Sequence, residues 1–240
     1  MKHILILALA LFASTVHASE GAHVAQQGWG FHGLATHWDK DQLYRGYTVF
    51  TNVCMSCHSA KYISHRDLMK AHFTEAEAKA LASALNMKLD DKLKTGLADA
   101  DAQELYGKIP PDLSLINKAR AGLADYTYAV LMGYSQDPEA IHHAFPEGVP
   151  QGAYFNTAFP GNAIAMPNPL GSADLVTYHD QTPATVENMA KDVTYFLQWT
   201  AEPELLARKA LGVYVLLFVG IFVVLTYLVK RAYWKGVKHE

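Results

Sequence analysis

The sequence has 240 residues, of which half are apolar and 18% are charged, with 10 prolines and 16 glycines. This composition excludes collagen-like, low-complexity and wholly disordered chains. The formal net charge of −3 argues against a nucleic-acid-binding protein, which would need a strongly basic face.

The first 18 residues are predicted to form a secretory signal peptide. Lys2 supplies the positive start, residues 4–12 are apolar, and Val16 and Ala18 occupy the −3 and −1 positions of a cleavage site. The apolar run is shorter than the roughly 20 residues that span a bilayer. We therefore expect cleavage after Ala18 and export of the following residues, rather than a short buried N-terminal helix.

The exported part is predicted to begin with helices. Residues 41–54 carry apolar side chains at helical spacing, and Gly46 inside this stretch suggests close packing of another element. Residues 72–105 are rich in Ala, Lys, Asp and Glu, with a capping-box pattern at Thr74 and Glu77. They are predicted to form solvated helices without chemistry of their own.

Prolines organise the middle of the chain. A Pro-Pro-Asp break at residues 110–112 is followed by mostly helical spacing over residues 113–131. Six of the ten prolines fall within residues 137–171, which are therefore predicted to be a loop. A loop of that length in a compact domain is expected to cover a functional element. No alternating run is long enough to build a large sheet.

The last helix of the exported part is predicted to follow this loop. Thr182 is the expected N-cap and Pro183 the first helical residue. Apolar residues recur at helical spacing from Val186 to Leu197, and the helix is expected to end before Pro203.

A transmembrane helix is predicted over residues 208–232. The 20 residues from Ala210 to Val229 contain no charge, and a helix of that length covers about 30 Å. Two cations precede this span and four follow it, so residues 233–240 are predicted to be a cytoplasmic tail. The chain is thus expected to cross the bacterial inner membrane once, with residues 19–207 in the periplasm.

The charges are segregated along the chain. Residues 19–207 hold 13 Lys and Arg against 22 Asp and Glu, a net charge of −9, whereas residues 208–240 hold six cations and one acid, a net charge of +5. An acidic exported domain suggests a cationic soluble partner attracted by its field. The alternative is a surface that is charged only for solubility.

The only two cysteines, Cys54 and Cys57, are two residues apart, and His58 follows directly. Two thiols one turn apart can add to the two vinyl groups of one haem, and the adjacent imidazole can ligate the iron. The motif therefore predicts a single, covalently attached haem c. A thiol–disulfide exchanger, which favours a βαβ context, and a structural zinc site, which needs two further ligands, are the alternatives.

The second axial ligand of such a haem distinguishes an electron carrier from a gas sensor or peroxidase with an open site. Met166 is the preferred candidate because it precedes Pro167 in the proline-stiffened loop, whereas the other methionines fit core or surface positions better. From the residues alone, His142, His143 and His179 are the alternatives.

Several short blocks follow one another along the chain: Arg45-Gly46-Tyr47 with Phe50, the Cys54 to His58 motif, Pro110-Pro111-Asp112-Leu113-Ser114, Tyr154-Phe155-Asn156, Phe159-Pro160-Gly161, Ala163-Ile164, Met166, Thr182-Pro183-Ala184-Thr185, Ala190-Lys191-Asp192-Val193, Trp199 and Ala201-Glu202-Pro203-Glu204. In this order, the blocks resemble the cytochrome c1 family, the membrane-anchored haem subunits of cytochrome bc1 complexes. Within residues 70–108 no block carries the resemblance.

The resemblance implies an all-α, cytochrome c-like haem domain with insertions plus one C-terminal transmembrane helix. It implies that Cys54 and Cys57 are the thioether positions, that His58 is the proximal ligand and that Met166 is the distal ligand. It further implies that Arg120 pairs with a haem propionate.

The resemblance also implies partners and a packing arrangement. A Rieske iron–sulfur subunit would deliver electrons, a soluble c-type cytochrome would accept them, and cytochrome b would hold the quinol chemistry, so no separate catalytic site is expected in this chain. The first and last helices of the haem domain would cross where Gly46 lets Phe196 or Tyr195 come close. The main alternative is a membrane-anchored gas sensor or peroxidase with a vacant sixth site, and a monohaem subunit of another respiratory complex is a further alternative.

Overall fold

The computed structural model describes residues 24–33 and 36–236. The predicted signal peptide, residues 1–18, and the last four residues of the predicted tail, 237–240, lie outside the described residues. The described chain is mainly helical. Its α-helices are α1 (Lys40–Asn52), α2 (Glu75–Ala84), α3 (Asp99–Tyr106), α4 (Ile116–Ala119), α5 (Leu123–Met132), α6 (Pro138–Ala144), α7 (Val186–Ala201) and α8 (Leu205–Tyr233).

Short strands form two antiparallel pairs. The strands are β1 (Ala60–Ser64), β2 (Lys92–Leu93), β3 (Tyr154–Phe155) and β4 (Ala163–Ile164). β1 pairs with β2, and β3 pairs with β4. Both pairs are small, as expected from a sequence without long alternating runs.

Helices α1 and α7 cross in direct backbone contact at Gly46. A Cβ atom at this position would lie 2.1 Å from the Asp192 carbonyl oxygen and 2.7 Å from the Phe196 Cβ. Only glycine therefore fits at this crossing. The expected approach of Phe196 is confirmed, whereas the hydroxyl of Tyr195 lies elsewhere and accepts a hydrogen bond from the Asp39 amide at 2.9 Å.

A buried ion pair closes the same crossing. The Arg45 Nε donates to Asp192 Oδ2 at 2.9 Å, and its Nη1 donates to Asp180 Oδ2 at 2.5 Å. Burial raises the pKa of the Asp192 carboxyl, and the hydrogen bond from Arg45 opposes that rise. Because a buried carboxylate without its partner is strongly destabilising, Arg45 helps to fix α1 against α7.

Aromatic packing continues the contact towards the end of α1. Phe50, Phe196 and Trp199 are fully buried. The Phe50 and Phe196 ring centroids are 5.4 Å apart, and those of Phe196 and Trp199 are 5.6 Å apart. Burying each such side chain contributes about 1.5–3 kcal/mol, so this cluster anchors the segment that directly precedes Cys54.

Residues 72–105 are not helical throughout, contrary to the sequence prediction. The capping box is confirmed, since the Glu77 amide donates to Thr74 Oγ1 and the Glu77 carboxylate accepts from the Thr74 amide. Asn86 then adopts a φ of 56°, a left-handed conformation that ends a helix. The following β2 pairs with β1, and this tertiary pairing overrides the helical composition of the stretch.

The helical stretch predicted over residues 113–131 is divided into α4 and α5. Gly122, with a φ of 87°, forms the N-cap of α5. Arg120 lies in extended conformation at the break. The structure therefore presents Arg120 on a bend and not on a helix face.

The N-cap of α7 is Thr185 and not the predicted Thr182. The Thr185 side chain accepts from the Asn188 amide at 3.1 Å. The Pro183 carbonyl instead accepts from the Asn188 side chain at 2.9 Å, which holds Pro183 outside the helix. The predicted end before Pro203 is confirmed, because α7 ends at Ala201.

Helix α8 begins three residues before the predicted span. It has 29 residues, its most apolar window has a mean hydropathy of 2.6, and none of that window is buried. The Lys209 Nζ attaches its first turns to the N-terminal segment by donating to the Phe31 carbonyl, the Gly33 carbonyl and Thr36 Oγ1, at 3.0, 2.7 and 2.8 Å. The apolar helix is thus tied directly to the helical domain.

Gly46→Ala is expected to destabilise the protein by more than about 3 kcal/mol, because the added methyl group would force two helix backbones apart. The measurement is denaturant unfolding of the full chain in detergent, followed by circular dichroism. Gly28→Ala is the control, since a Cβ at Gly28 meets no atom within 4 Å. Equal unfolding midpoints for the two variants would contradict the close approach at Gly46.

Candidate haem site

The cysteine motif forms a single tight turn at the end of α1. Residues Cys54–Ser56 form a 3₁₀-helix. The Cys57 and His58 amides both donate to the Cys54 carbonyl, at 3.1 and 2.8 Å. The two cysteines are not joined in a disulfide. One turn therefore presents two thiols and an imidazole, which is the donor set that a covalent haem requires.

The imidazole of His58 is oriented by a backbone carbonyl. Its Nδ1 lies 2.8 Å from the Pro111 oxygen. Because a carbonyl oxygen only accepts, Nδ1 carries the proton, and Nε2 is left with its lone pair available to a metal. Burial lowers the pKa of His58, which favours the neutral imidazole that a metal needs.

The Pro111 carbonyl is itself fixed by contacts with the segment after His58. The Leu113 amide donates to the Ser59 carbonyl at 2.7 Å. The Lys61 amide donates to Asp112 Oδ2 at 2.9 Å. The Pro-Pro-Asp segment, which the sequence analysis identified as a helix break and as part of a resemblance block, therefore supports the His58 imidazole.

The alternative interpretations of the cysteine pair find little support. Burial raises the pKa of the Cys54 thiol to about 12, which disfavours the thiolate that disulfide exchange requires. Within residues 24–33 and 36–236, no group of three or more His, Cys, Asp or Glu side chains is placed to hold a metal ion. This result disfavours a structural zinc site among the described residues.

Met166 lies in a structured part of the predicted loop. Residues 137–171 include α6 and the β3–β4 hairpin, so the prediction of an irregular loop was incomplete. Met166 follows β4 by two residues, and its carbonyl accepts a hydrogen bond from the Tyr134 hydroxyl at 2.9 Å. This tether gives Met166 the fixed backbone that a distal ligand needs.

The alternative histidine ligands occupy other environments. His179 stacks on Tyr44 with ring centroids 4.2 Å apart, and its Nε2 lies 3.4 Å from Asp41 Oδ1. Tyr44 precedes Cys54 by ten residues on α1, which corresponds to about 15 Å along a helix. His142 and His143 are both exposed on α6. None of the three thus shares the tethered setting of Met166.

Arg120 is an exposed cation at the bend between α4 and α5. Its Nη1 donates to the Ala119 carbonyl at 3.2 Å. Burial raises the pKa of Tyr126, and the positive charge of Arg120 opposes that rise, so the two side chains are near neighbours. The predicted pairing of Arg120 with a propionate stays a prediction.

Three large apolar side chains are exposed on the segments that flank Pro111 and Tyr134. Ile109 is 53% exposed, Leu115 is 44% exposed and Met132 is 40% exposed. Single exposed apolar side chains are common on protein surfaces, so these residues do not by themselves mark a ligand site.

An acidic helix contacts the cysteine turn. The Tyr106 hydroxyl, at the end of α3, lies 3.7 Å from the Cys57 sulfur. Asp99, Asp101 and Glu104 on this helix are exposed. The helix that contacts the cysteine turn therefore carries three exposed carboxylates.

Sequence reasoning missed three groups in this site: the Pro111 carbonyl, the Tyr134 hydroxyl and the Asn156 side chain. Asn156 was included in a resemblance block, but its role was not recognised. Its complete burial in a loop rich in proline and glycine is visible only in the structure. Polar residues in such a loop are the signal that could have directed attention to it.

Comparison with known proteins gives a uniform result. Residues 29–237 match the sequence model of the Cytochrome C1 family. The chain is 38% identical to a protein of Rhodospirillum rubrum named cytochrome c1, over 91% of this chain and 90% of that protein. It is 36% identical to a mitochondrial cytochrome c1 haem protein of Arabidopsis thaliana, over 97% and 78% of the two chains. It is 37% identical to a mitochondrial protein of Candida albicans named cytochrome b-c1 complex catalytic subunit, over 93% and 81% of the two chains.

Proposed function

Because the chain belongs to the cytochrome c1 family, we propose that it holds one haem c through Cys54 and Cys57 and relays single electrons beside the membrane. The coarser conclusion, a membrane-anchored haem electron carrier, follows from the family and from the apolar helix α8. The proposal of one covalent haem c rests on the His58 imidazole. Its Nδ1 is hydrogen-bonded to the Pro111 carbonyl, and His58 lies in the same turn as the side chains of Cys54 and Cys57.

His58 Nε2 and the Met166 thioether are the proposed axial ligands. The haem, when bound, supplies one-electron exchange between ferric and ferrous iron. A thioether ligand stabilises the ferrous state and raises the reduction potential. The backbone tether of Met166 supports this role, because it limits movement of the side chain between the two oxidation states. Arg120 is the proposed partner of a propionate.

The proposed donor is a Rieske iron–sulfur subunit, and the proposed acceptor is a soluble c-type cytochrome. The Candida albicans relative is named as a subunit of a cytochrome b-c1 complex, which supports assembly with such partners and with cytochrome b. The acidic α3 beside Cys57 supports a cationic acceptor, because opposite charge speeds encounter. The unequal distribution of cations around α8 supports a periplasmic haem domain and a cytoplasmic C-terminus.

Met166→Leu tests the distal ligand. We expect the reduction potential of the variant to fall by about 120 mV, which corresponds to a hundredfold loss of preference for the ferrous state. We also expect carbon monoxide to bind to the ferrous variant. Redox titration of the purified holoprotein measures the potential. Met69→Leu is the control, because Met69 is an exposed residue of the 3₁₀-helix His65–Ala71. Equal potentials in both variants would exclude Met166 as the ligand.

Charge steering predicts that electron transfer to a cationic soluble c-type cytochrome slows as salt increases. At about 10 Å in water, each pair of unit charges interacts by about 0.4 kcal/mol. Replacing Asp101 and Glu104 by Asn and Gln should therefore slow the reaction about fourfold at low salt. Stopped-flow kinetics measures the rate.

The matched control replaces Asp41 and Glu75, which lie in the first turns of α1 and α2. This control removes the same formal charge from two other helices. An equal decrease in rate for both double variants would contradict a docking site at α3 and favour a nonspecific effect of net charge.

A further inference from the structure

The hydroxyl of Tyr134 is hydrogen-bonded to the residue that we assign as the distal ligand. It donates to the Met166 carbonyl at 2.9 Å, and Tyr134 itself is half-buried. Among the described residues, the Tyr134 hydroxyl is the group that hydrogen-bonds to the main chain of Met166. The contact joins residues that are 32 positions apart in sequence.

The same tyrosine also joins the hairpin that carries Met166. Tyr134 forms an antiparallel bridge with Asn156, next to β3. The Asn156 side chain is fully buried, and its Nδ2 donates to the Val130 carbonyl at 2.8 Å. Its Oδ1 accepts from the Ala158 and Phe159 amides, each at 3.0 Å. The base of the hairpin is thus bonded to the last turn of α5.

Gly133 allows this close approach. A Cβ at Gly133 would lie 2.6 Å from Asn156 Oδ1 and 2.9 Å from the Ala129 carbonyl oxygen. The Gly133 carbonyl accepts from the Thr157 amide at 2.8 Å. Because there is no space for a side chain at this point, the position of Tyr134 relative to the hairpin is fixed by backbone contacts.

One segment therefore supports both proposed ligands. At its start, the Pro111 carbonyl accepts from His58 Nδ1, and at its end, the Tyr134 hydroxyl donates to the Met166 carbonyl. Between these two points lie α4 and α5, which pack against α7. The two tethers are consequently held by the same pair of helices.

We propose that Tyr134 is the positioning residue for the distal ligand: its hydroxyl fixes the Met166 main chain and so keeps the thioether directed at the haem iron. The inference rests on the proposed function, since it takes Met166 as the ligand. Asn156 and Gly133 hold the base of the hairpin, but the tyrosine hydroxyl is the group that reaches Met166 itself. Without the hydrogen bond from Tyr134, the main chain of residues 165–166 would no longer be held to the segment that follows α5.

The test compares Tyr134→Phe with wild-type holoprotein. Carbon monoxide binds ferrous iron only when the thioether has dissociated, so the binding rate reports the fraction of open sites. We expect this rate to increase about fivefold, the equilibrium factor for one hydrogen bond of ordinary strength. The long-wavelength absorption band that a thioether gives to ferric haem should weaken in parallel.

Tyr128→Phe is the control, because it removes a hydroxyl from the preceding helix α5, where the Tyr128 ring packs edge-to-face on Trp29 with centroids 6.1 Å apart. Met166→Leu is the reference for a fully open site. Thermal unfolding of each variant separates ligand positioning from general stability. A Tyr134→Phe protein that unfolds at a lower temperature but keeps the wild-type carbon monoxide rate would overturn the inference.

The Met166→Leu variant separates the assignment of Met166 as the ligand from the positioning role of Tyr134. Rapid carbon monoxide binding by Met166→Leu, with wild-type behaviour of Tyr134→Phe, would overturn the positioning role alone. Wild-type behaviour of Met166→Leu would overturn the ligand assignment, and the role of Tyr134 would fall with it. An increase in Tyr134→Phe that Tyr128→Phe does not share would support the inference.

Discussion

The contact of α1 with α7 at Gly46 determines where the cysteine turn lies. Because the two backbones touch, the end of α1 has a fixed position relative to α7, and the cysteine turn follows directly from that end. Arg45 and the aromatic cluster around Phe196 stabilise the same crossing from either side. Helix α7 then continues, after a short break at Pro203, into the apolar helix α8. The packing of two helices thus relates the proposed redox centre to the membrane anchor.

The segment from Pro111 to Tyr134 is the second support of the site. It contributes a carbonyl to His58 and a hydroxyl to Met166, so it contacts both proposed ligands without being a ligand itself. Hydrogen bonds of this kind orient metal ligands and tune their basicity. An electron carrier benefits from such support, because a site that moves little between oxidation states exchanges electrons with little reorganisation.

Local sequence signals predicted much of the fold. The periodicity of α1, the capping box at Thr74, the end of α7 before Pro203 and the apolar α8 depend on neighbouring residues, and the structure confirms each of them. Features that depend on distant residues were not predictable in the same way. Strand β2 exists because it pairs with β1, where Ala60 lies opposite Leu93. The start of α7 is instead a local feature, which the sequence analysis placed at Thr182 and which Thr185 caps through the Asn188 amide.

The candidate site shows the same difference between features set by neighbouring residues and features set by distant ones. The spacing of Cys54, Cys57 and His58 indicated a haem, and the proline-rich setting of Met166 indicated a ligand, because both signals are local. The carbonyl of Pro111 and the hydroxyl of Tyr134 gave no local signal, since their partners are 53 and 32 residues away in sequence. Their roles became visible only once the chain was folded.

The central claim is that one haem is bonded covalently to this polypeptide at the cysteine turn. Mass spectrometry of the purified, denatured and alkylated protein tests it most directly. The account predicts an intact mass that includes one haem, no alkylated cysteine, and a proteolytic peptide in which Cys54 and Cys57 both carry the porphyrin. An apoprotein mass with two alkylated cysteines would contradict it.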